Sequence, residues 1–321
     1  MFFCYAVMQL FYHYKGAVMI ALVFLFVMSF SCNINAEWPY MPFDDAMKKN
    51  NFPNVYDVTT HIVGIPGNTL YEFFEDLYEQ YAHLTAEADL RIPKIIHQIW
   101  LGSPLPEEFR ALQQSWVEYH TNRGWMYKLW TDEDVAQLQL YNQQFYDATD
   151  NYGVKSDILR WELLYNYGGV YIDTDYECLR SLDELHYTYD FYTALQPLDT
   201  LFVQLGAALV GSRPGHPILQ HCIETIKYDW HHKGAPKKTG PVHFTKSFYA
   251  VAGKNGSKDI AFPAFYFYPL GCSETIDNRV TWVHRGAFAV HWWAKSWMPK
   301  QYRPALSRNI DNKFSANSWN D

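Results

Sequence analysis

The sequence lacks the features that mark several common classes of protein. Of its five cysteines, Cys4 and Cys32 lie in the apolar N-terminal region, and the remaining three give no disulfide framework. There is no CxxC pair and no Cys/His cluster with zinc spacing. The net charge is -8 and the chain has no basic cluster, which argues against a nucleic-acid partner. Any bound metal must therefore be held by oxygen and imidazole.

Hydrophobic and aromatic residues are plentiful instead. They make up 49% and 18% of the 321 residues, enough to bury one large core, so a single elaborated catalytic domain is expected. The aromatic surplus suits stacking on sugars, and it equally suits an aromatic-rich core. No internal repeat or low-complexity segment is present.

An uncharged apolar stretch runs from residue 16 to residue 32. It is at the lower limit for a membrane-spanning helix, which needs roughly 20 residues, and Ala36 offers a small residue for signal-peptide cleavage. A cleaved signal and a retained anchor both stay open, as does a later start at Met8 or Met19. The alternative is a buried core helix. The expected location is either a membrane-anchored position facing a lumen or the cell exterior, or secretion.

Changes in composition along the chain divide the sequence into four regions. They are a signal or anchor (1–36), a stem or helical cap (37–91), a catalytic domain (92–300) and a polar tail (301–321).

Strand and helix patterns alternate within the catalytic region, which predicts an α/β fold with a mostly parallel sheet. The predicted strands begin near Ile92 and span 125–130, 170–173 and 201–210. The predicted helices span about 106–120, start again at Thr131, and span 154–167 and 217–228. The amphipathic run 70–84 belongs to the cap, and 231–241 reads as a loop long enough to be a lid.

The segment from Ser156 to Asp175 carries the most chemistry. Asp157 and Arg160 are three residues apart on one helix face, so that they can bind a polyhydroxylated ligand together; the alternative is a surface ion pair. Asp173 and Asp175 follow an apolar strand, and side-chain alternation would point both the same way to hold a divalent cation. The alternative for such a DxD sequence is a solvated turn.

Several stretches resemble glycosyltransferase family 32, the DXD-containing family of fungal initiating mannosyltransferases and mannosyl-inositol-phosphoceramide synthases. More distantly, the chain resembles the catalytic domains of clostridial glucosylating toxins. The matching stretches are IPKIIHQIWLG, LWTDED, SDILRWELLYNYGGVYIDTDYECLRSLDEL, GSRPGHP, TGP and AVHWWAKSW, which together cover most of 92–297. The resemblance implies a GT-A fold with one Rossmann-like domain, a nucleotide sugar donor, Mn²⁺ or Mg²⁺, and retention of anomeric configuration.

The resemblance also implies roles on the donor side. Trp100 corresponds to the aromatic residue that stacks on the nucleobase, and Asp157 and Arg160 correspond to the groups that hold the donor sugar. Ser296 and Trp297 correspond to donors of hydrogen bonds to the β-phosphate; core packing is the alternative for Trp297.

For the metal, the resemblance implies that Asp175 coordinates directly and that Asp173 acts through water, the ribose or the metal's shell. His291 lies where related enzymes place a third ligand, although a packed histidine is the alternative. Imidazole suits Mn²⁺ better than Mg²⁺, which favours manganese.

One departure concerns the segment before GSRPGHP, where a small polar residue, often Asn, is expected. The chain instead has Gly206-Ala207-Ala208, so that either the alignment or the choice of sugar differs here. Gly240 would permit a tight turn near the acceptor, or have a purely conformational role.

These observations and the family resemblance together predict a metal-dependent glycosyltransferase, and the resemblance implies a retaining one. By the same resemblance, mannose from GDP-mannose is the first expectation for the donor, and galactose or glucose from a UDP-hexose is the next. The expected acceptor is a glycan, glycolipid or protein. The alternatives are a non-catalytic carbohydrate- or nucleotide-sugar-binding protein on the same fold, a toxin-like effector, and an aspartyl-nucleophile phosphohydrolase, against which Glu177 argues.

Overall fold

The computed structural model describes residues 38–52, 63–254 and 256–294. The predicted apolar helix at 16–32 and the polar tail lie outside these residues. In the described part of the chain, no helix is both long enough and apolar enough to cross a membrane.

Helices and strands are interspersed from residue 95 to residue 229, but they do not alternate as strictly as the sequence predicts. The helices are α1 (Phe43–Met47), α2 (Gly67–Tyr81), α3 (Arg110–His120), α4 (Asp132–Val135), α5 (Gln143–Asp147), α6 (Tyr152–Tyr167), α7 (Asp183–Thr188), α8 (Pro217–Asp229), α9 (Ala235–Lys238), α10 (Pro241–Val251) and α11 (Arg279–His284). The strands are β1 (Ile95–Ile99), β2 (Met126–Trp130), β3 (Gly169–Ile172), β4 (Tyr176–Cys178), β5 (Phe191–Leu195), β6 (Leu205–Ser212), β7 (Asp259–Phe262) and β8 (Ala289–His291).

Six of these strands form one sheet in the order β2-β1-β3-β6-β5-β7. Strand β6 pairs antiparallel with both neighbours, and the other pairings are parallel, so five strands share one direction. The predicted α/β fold with a mostly parallel sheet is confirmed. Strands β4 and β8 form a separate antiparallel pair in the described chain.

The turn from α6 into β3 depends on two glycines. Asn151 caps the start of α6 by accepting the N–H of Val154 at 3.1 Å. Gly168 and Gly169 then adopt φ values of 62° and 97°, in the region that favours glycine. A Cβ on Gly169 would lie 2.5 Å from the carbonyl oxygen of Ile95 on β1. The glycine pair therefore lets β3 follow the helix directly and lie close to β1.

The sequence prediction differs from the structure at several places. The strand predicted at 201–210 is shifted: Leu201 has a left-handed backbone and the strand spans Leu205–Ser212. The predicted loop 231–241 contains the short helix α9 and leads into α10. Strands β4, β5, β7 and β8 were not predicted, because each is a short buried run that periodicity cannot distinguish from a helix segment.

Helix α2 of the predicted cap packs against the catalytic sheet. It contacts β7, and the Tyr78 hydroxyl lies 3.1 Å from that of Tyr266, just beyond this strand. Phe74 and Tyr78 are fully buried. The amphipathic run predicted for this region thus forms a helix whose apolar face is part of the core.

Candidate metal and donor site

The backbone of Asp173 is fixed where β3 ends. Its N–H donates to the carbonyl of Ala208 on β6 at 2.8 Å, and its carbonyl accepts from the Gln98 side chain of β1 at 3.3 Å. Three adjacent strands thus meet at this residue. Its side chain remains 32% exposed, so it can reach a ligand at this edge of the sheet.

Asp175 reaches the same place through a turn, which corrects the predicted cause of the arrangement. The Tyr176 N–H donates to the Asp173 carbonyl at 3.2 Å, so 173–176 form a turn and not a continued strand. Side-chain alternation along a strand is therefore not what brings the two carboxylates together. The turn does so, together with the pairing of β4 with β8.

His291 joins the two aspartates from the C-terminal end of β8. Its Nε2 lies 3.0 Å from Asp175 Oδ1, and the ring stacks on Tyr176 with centroids 4.7 Å apart. One ligand atom from each of Asp173, Asp175 and His291 lies within 4.8 Å of the others. The N–H of Ala294 donates to Asp175 Oδ2 at 2.8 Å, which orients this carboxylate.

The charges around these residues fit a divalent cation. Asp157, Asp173 and Asp175 are balanced among the nearby described residues by the single guanidinium of Arg160, which leaves buried negative charge when the imidazole is neutral. The Nδ1 of His291 is buried and has no hydrogen-bond partner in the described chain. Carboxylate oxygens with one imidazole are a donor set that suits Mn²⁺ and accepts Mg²⁺.

The pKa shifts reflect the same excess of negative charge. Burial, together with the Asp175 charge, raises the pKa of Asp173 above its ordinary value despite Arg160. Burial alone would raise the pKa of Asp175 as well, but His291 and the Ala294 N–H hold it below its ordinary value. A bound cation would offset the negative charge of Asp175 that contributes to the raised pKa of Asp173.

Arg160 and Asp157 form a buried cluster and not the surface ion pair considered as an alternative. Arg160 Nη2 lies 3.1 Å from Asp157 Oδ1 and 3.4 Å from Asp173 Oδ1, and its Nη1 donates to the carbonyl of Ala207. The guanidinium lies over the Tyr171 ring at 4.3 Å. Burial raises the pKa of Asp157 to about 6, although Arg160 opposes this shift.

The Thr239-Gly240-Pro241 segment lies against this cluster. Thr239 donates its hydroxyl to Asp157 Oδ2 at 2.8 Å, and the fully buried Trp161 donates its indole N–H to the Thr239 carbonyl at 3.0 Å. A Cβ on Gly240 would lie 3.1 Å from Pro236 Cα and 3.2 Å from Asp157 Oδ2. Close packing around Asp157 thus favours glycine at this position.

The Gly206-Ala207-Ala208 departure has a structural reason. The carbonyls of Ala207 and Ala208 bind Arg160 and the Asp173 backbone, so the main chain of β6 supplies polar contacts here. A Cβ on Gly206 would lie 1.8 Å from the Tyr268 hydroxyl oxygen. Tyr268 therefore occupies the space that a side chain at 206 would need.

The remaining predicted donor residues are placed as follows. Trp100 is partly exposed at the end of β1, on the same sheet edge as Asp173; its indole donates to Ser103 Oγ at 3.1 Å and its ring lies 5.1 Å from that of Phe109. Ser296 and Trp297 lie outside the described residues. The role of Trp100 in stacking on a nucleobase stays a prediction.

Two site residues were missed by sequence reasoning. Tyr171 donates its hydroxyl to Asp173 Oδ1 at 2.6 Å, and burial raises its pKa well above its ordinary value, so it stays a donor. Tyr268 packs edge-on against His291 with centroids 5.5 Å apart. Tyr171 could have been found from its place two residues before Asp173, whereas Tyr268 has no local signal.

Comparison with known proteins shows what the segment around this sheet edge is similar to. A family model described as the glycosyltransferase sugar-binding region containing DXD motif matches residues 106–192, which include α6, β3 and the Asp173-Thr174-Asp175 turn. Residues 106–192 are thus similar to the sugar-binding region of DXD-containing glycosyltransferases. The predicted resemblance to this family is confirmed.

Curated relatives match parts of the chain. Inositol phosphoceramide mannosyltransferase 2 of Schizosaccharomyces pombe is 34% identical over 140 residues, covering 42% of this chain and 39% of that protein. A mannosyl phosphorylinositol ceramide synthase of Saccharomyces cerevisiae is 31% identical over 188 residues, covering 54% and 47%. The matches thus span less than half the length of either relative.

Among solved structures, one titled PaToxG Glycosyltransferase aligns with 57% of this chain and 77% of its own, at 17% identity and a TM-score of 0.45. A likeness of this size carries no argument about the site.

Proposed function

We propose that this protein is a metal-dependent retaining glycosyltransferase that moves a sugar, with mannose as the first choice, from a nucleotide diphosphate donor to an acceptor hydroxyl. The observation that carries the proposal is the convergence of Asp173, Asp175 and His291 beside the buried Arg160–Asp157 pair. A cation site next to a sugar-binding cluster suits a ligand that has both a diphosphate and a hexose.

Asp173, Asp175 and His291 would hold the cation, with Mn²⁺ favoured over Mg²⁺ because one ligand is imidazole. When bound, the ion would act as a Lewis acid. It would neutralise the negative charge of the donor diphosphate and stabilise the diphosphate as a leaving group. The chain itself orients these ligands: the Ala294 N–H fixes Asp175, and the Tyr171 hydroxyl fixes Asp173.

Asp157 and Arg160 would bind the donor sugar. Each Asp157 oxygen already accepts a hydrogen bond or ion pair, from Arg160 at 3.1 Å and from Thr239 at 2.8 Å. This engagement argues against Asp157 as a covalent nucleophile and supports a front-face reaction.

In that reaction the acceptor oxygen bonds to the anomeric carbon while the bond from that carbon to the diphosphate oxygen breaks. The leaving diphosphate takes the electron pair and then accepts the acceptor's proton. Electrostatic stabilisation of the leaving group would supply most of the rate enhancement.

The names of the two curated relatives pair mannosyl transfer with an inositol-containing ceramide lipid, which supports mannose and a glycolipid acceptor. A UDP-hexose donor and a glycan or protein acceptor are the other choices. Attachment to a membrane through residues 16–32, on the lumenal or outer side, is part of the same proposal.

The test is donor hydrolysis by the purified full-length chain. GDP-mannose, UDP-glucose, UDP-galactose and UDP-N-acetylglucosamine are each incubated with and without Mn²⁺, and the free nucleoside diphosphate is measured. One donor should be hydrolysed in a metal-dependent reaction that Asp175→Ala abolishes. Binding of a donor without turnover under any metal would instead favour a non-catalytic nucleotide-sugar-binding protein.

A further inference from the structure

A fully buried glutamine contacts the turn that carries two of the candidate metal ligands. Gln98 lies on β1, between β2 and β3, and its side chain has no exposed surface. A buried amide costs free energy unless both its oxygen and its nitrogen find hydrogen-bond partners inside the protein. The partners of Gln98 therefore indicate why an amide occupies this position.

The hydrogen bonds of this amide are fixed in direction by its contact with Asp173. The backbone carbonyl of Asp173 can only accept, so the Gln98 nitrogen faces it, at 3.3 Å. The amide oxygen then faces Tyr127 on β2, whose hydroxyl donates to it at 2.6 Å and keeps its proton at neutral pH, because burial raises its pKa to about 12. That hydroxyl in turn accepts the Gln113 side-chain amide of α3 at 2.7 Å. Three side chains thus form one hydrogen-bond chain from α3 through β2 and β1 to Asp173.

The Asp173 carbonyl belongs to the first peptide group of the turn 173–176. It accepts the Tyr176 N–H at 3.2 Å as well as the Gln98 amide, which uses both of its lone pairs. The bond from Tyr176 closes the turn, and the bond from Gln98 fixes the direction of the first peptide plane relative to β1. Because Asp175 lies within this turn, that direction sets where its carboxylate lies relative to that of Asp173.

The far end of the turn is held by the same helix. Trp116 of α3 donates its indole N–H to the carbonyl of Tyr176 at 2.9 Å, and both side chains are fully buried. Ser115 Oγ, one residue earlier, accepts the N–H of Cys178 at 2.9 Å. Helix α3 thus contacts β4 directly and reaches the start of the turn through the Gln98 chain, so that both ends of the turn are fixed from one helix.

We propose that Gln98 is a positioning residue for the cation: by holding the Asp173 carbonyl, its amide sets the turn that brings the carboxylates of Asp173 and Asp175 to one ion. The inference rests on the proposed cation site. It adds to that site a residue that acts through the backbone of Asp173 and not as a ligand. The loss of a hydrogen bond behind a metal ligand typically weakens metal binding by roughly 10- to 100-fold.

The test is the Mn²⁺ affinity of the full-length protein, measured by electron paramagnetic resonance. Gln98→Met keeps a side chain of similar length and volume but removes the amide, and it should raise the Mn²⁺ Kd about tenfold. The matched control is Asn142→Leu, because Asn142 is also a buried amide that donates to a backbone carbonyl, that of Ile223, at 3.1 Å. This control should lower the melting temperature as Gln98→Met does, but leave the Mn²⁺ Kd within about twofold of the wild-type value.

A milder variant decides the question if Gln98→Met does not fold. Tyr127→Phe leaves the Gln98 amide in place but removes the hydroxyl that orients it, and it should raise the Mn²⁺ Kd about threefold. A Kd unchanged from the wild-type value in folded Gln98→Met, or in Tyr127→Phe where Gln98→Met is unfolded, would mean that the chain only stabilises the fold and overturns this inference alone. If the wild type binds no Mn²⁺, the proposed cation site fails and the inference fails with it.

Discussion

Two of the buried histidine–aspartate pairs in the described part of the chain have nearly the same geometry. His291 Nε2 is 3.0 Å from Asp175 Oδ1, and His216 Nε2 is 3.0 Å from Asp259 Oδ1. Both histidines are under 10% exposed. The pair distance alone therefore does not distinguish a functional site from a structural one.

The surroundings of the two pairs differ. His216 caps α8, where its Nδ1 accepts the Ile218 N–H, and Asp259 also accepts from Ser257 Oγ and the Gly253 N–H. In the His291 pair, Nδ1 has no partner within the described residues, and a second carboxylate, that of Asp173, lies in ligand range. A pair whose polar atoms all have hydrogen-bond partners indicates a structural role. A pair with an unpartnered buried atom beside excess negative charge indicates a ligand site.

The largest expected effect directly tests the difference between the two histidine–aspartate pairs. Asp175→Asn should lower donor turnover about 10³-fold, because a removed electrostatic group of an active site costs this order of rate. Asp259→Asn should leave turnover of the folded protein within about twofold but lower the free energy of unfolding by about 3 kcal/mol, since it breaks a buried pair. Donor hydrolysis and urea denaturation of both variants check this.

The opposite pattern, with activity lost in Asp259→Asn and kept in Asp175→Asn, would contradict the assignment. Circular dichroism of each variant at the assay temperature is the control for folding.

A smaller effect is expected for Arg160→Lys. Lysine keeps the charge, but it cannot reach Asp157, Asp173 and the Ala207 carbonyl together as the planar guanidinium does. Donor turnover should fall about 10²-fold, as expected when a reactant is slightly misplaced. The measurement is kcat and KM for the donor, with Arg110→Lys on exposed α3 as the matched control. Equal kinetics for the two variants would remove Arg160 from the donor site.

The smallest effect at neutral pH is expected at His97, another buried histidine whose two ring nitrogens both have hydrogen-bond partners. His97 contacts the Gly168 carbonyl through Nε2 at 2.9 Å and accepts the Trp130 indole N–H through Nδ1, so it is neutral. Burial lowers the pKa of His97 to about 4, below the ordinary value of 6.5. Its stabilisation is full above pH 6.5 and is lost as the pH falls through about 4.

From pH 7 to pH 5 the wild type should therefore lose about 2 kcal/mol of unfolding free energy through this residue. His97→Gln is expected to be less stable at pH 7 and to show a flatter pH dependence. Urea denaturation at both pH values measures the difference in slope; identical slopes would mean that His97 does not titrate as described.

The sequence predicts well where information is local. The helix that carries Asp157 and Arg160 is confirmed as α6, because its cap, its apolar content and the Gly168-Gly169 stop all lie within the segment. The Asp173–Asp175 convergence was predicted for the wrong reason, since a turn and not strand alternation causes it.

Contacts between distant segments were not predictable from pattern. Asp175 and His291 are 116 residues apart, and only the family resemblance pointed to their pairing. The close approach of Tyr268 to Gly206 depends on the strand order, which periodicity does not specify.

The most direct test of the account is Mn²⁺ binding, followed by electron paramagnetic resonance of the full-length wild type and of the Asp175→Asn and Asp259→Asn variants. One Mn²⁺ site is expected in the wild type and in Asp259→Asn, and its loss is expected in Asp175→Asn. Equal Mn²⁺ binding by all three proteins, or none by the wild type, would contradict this expectation.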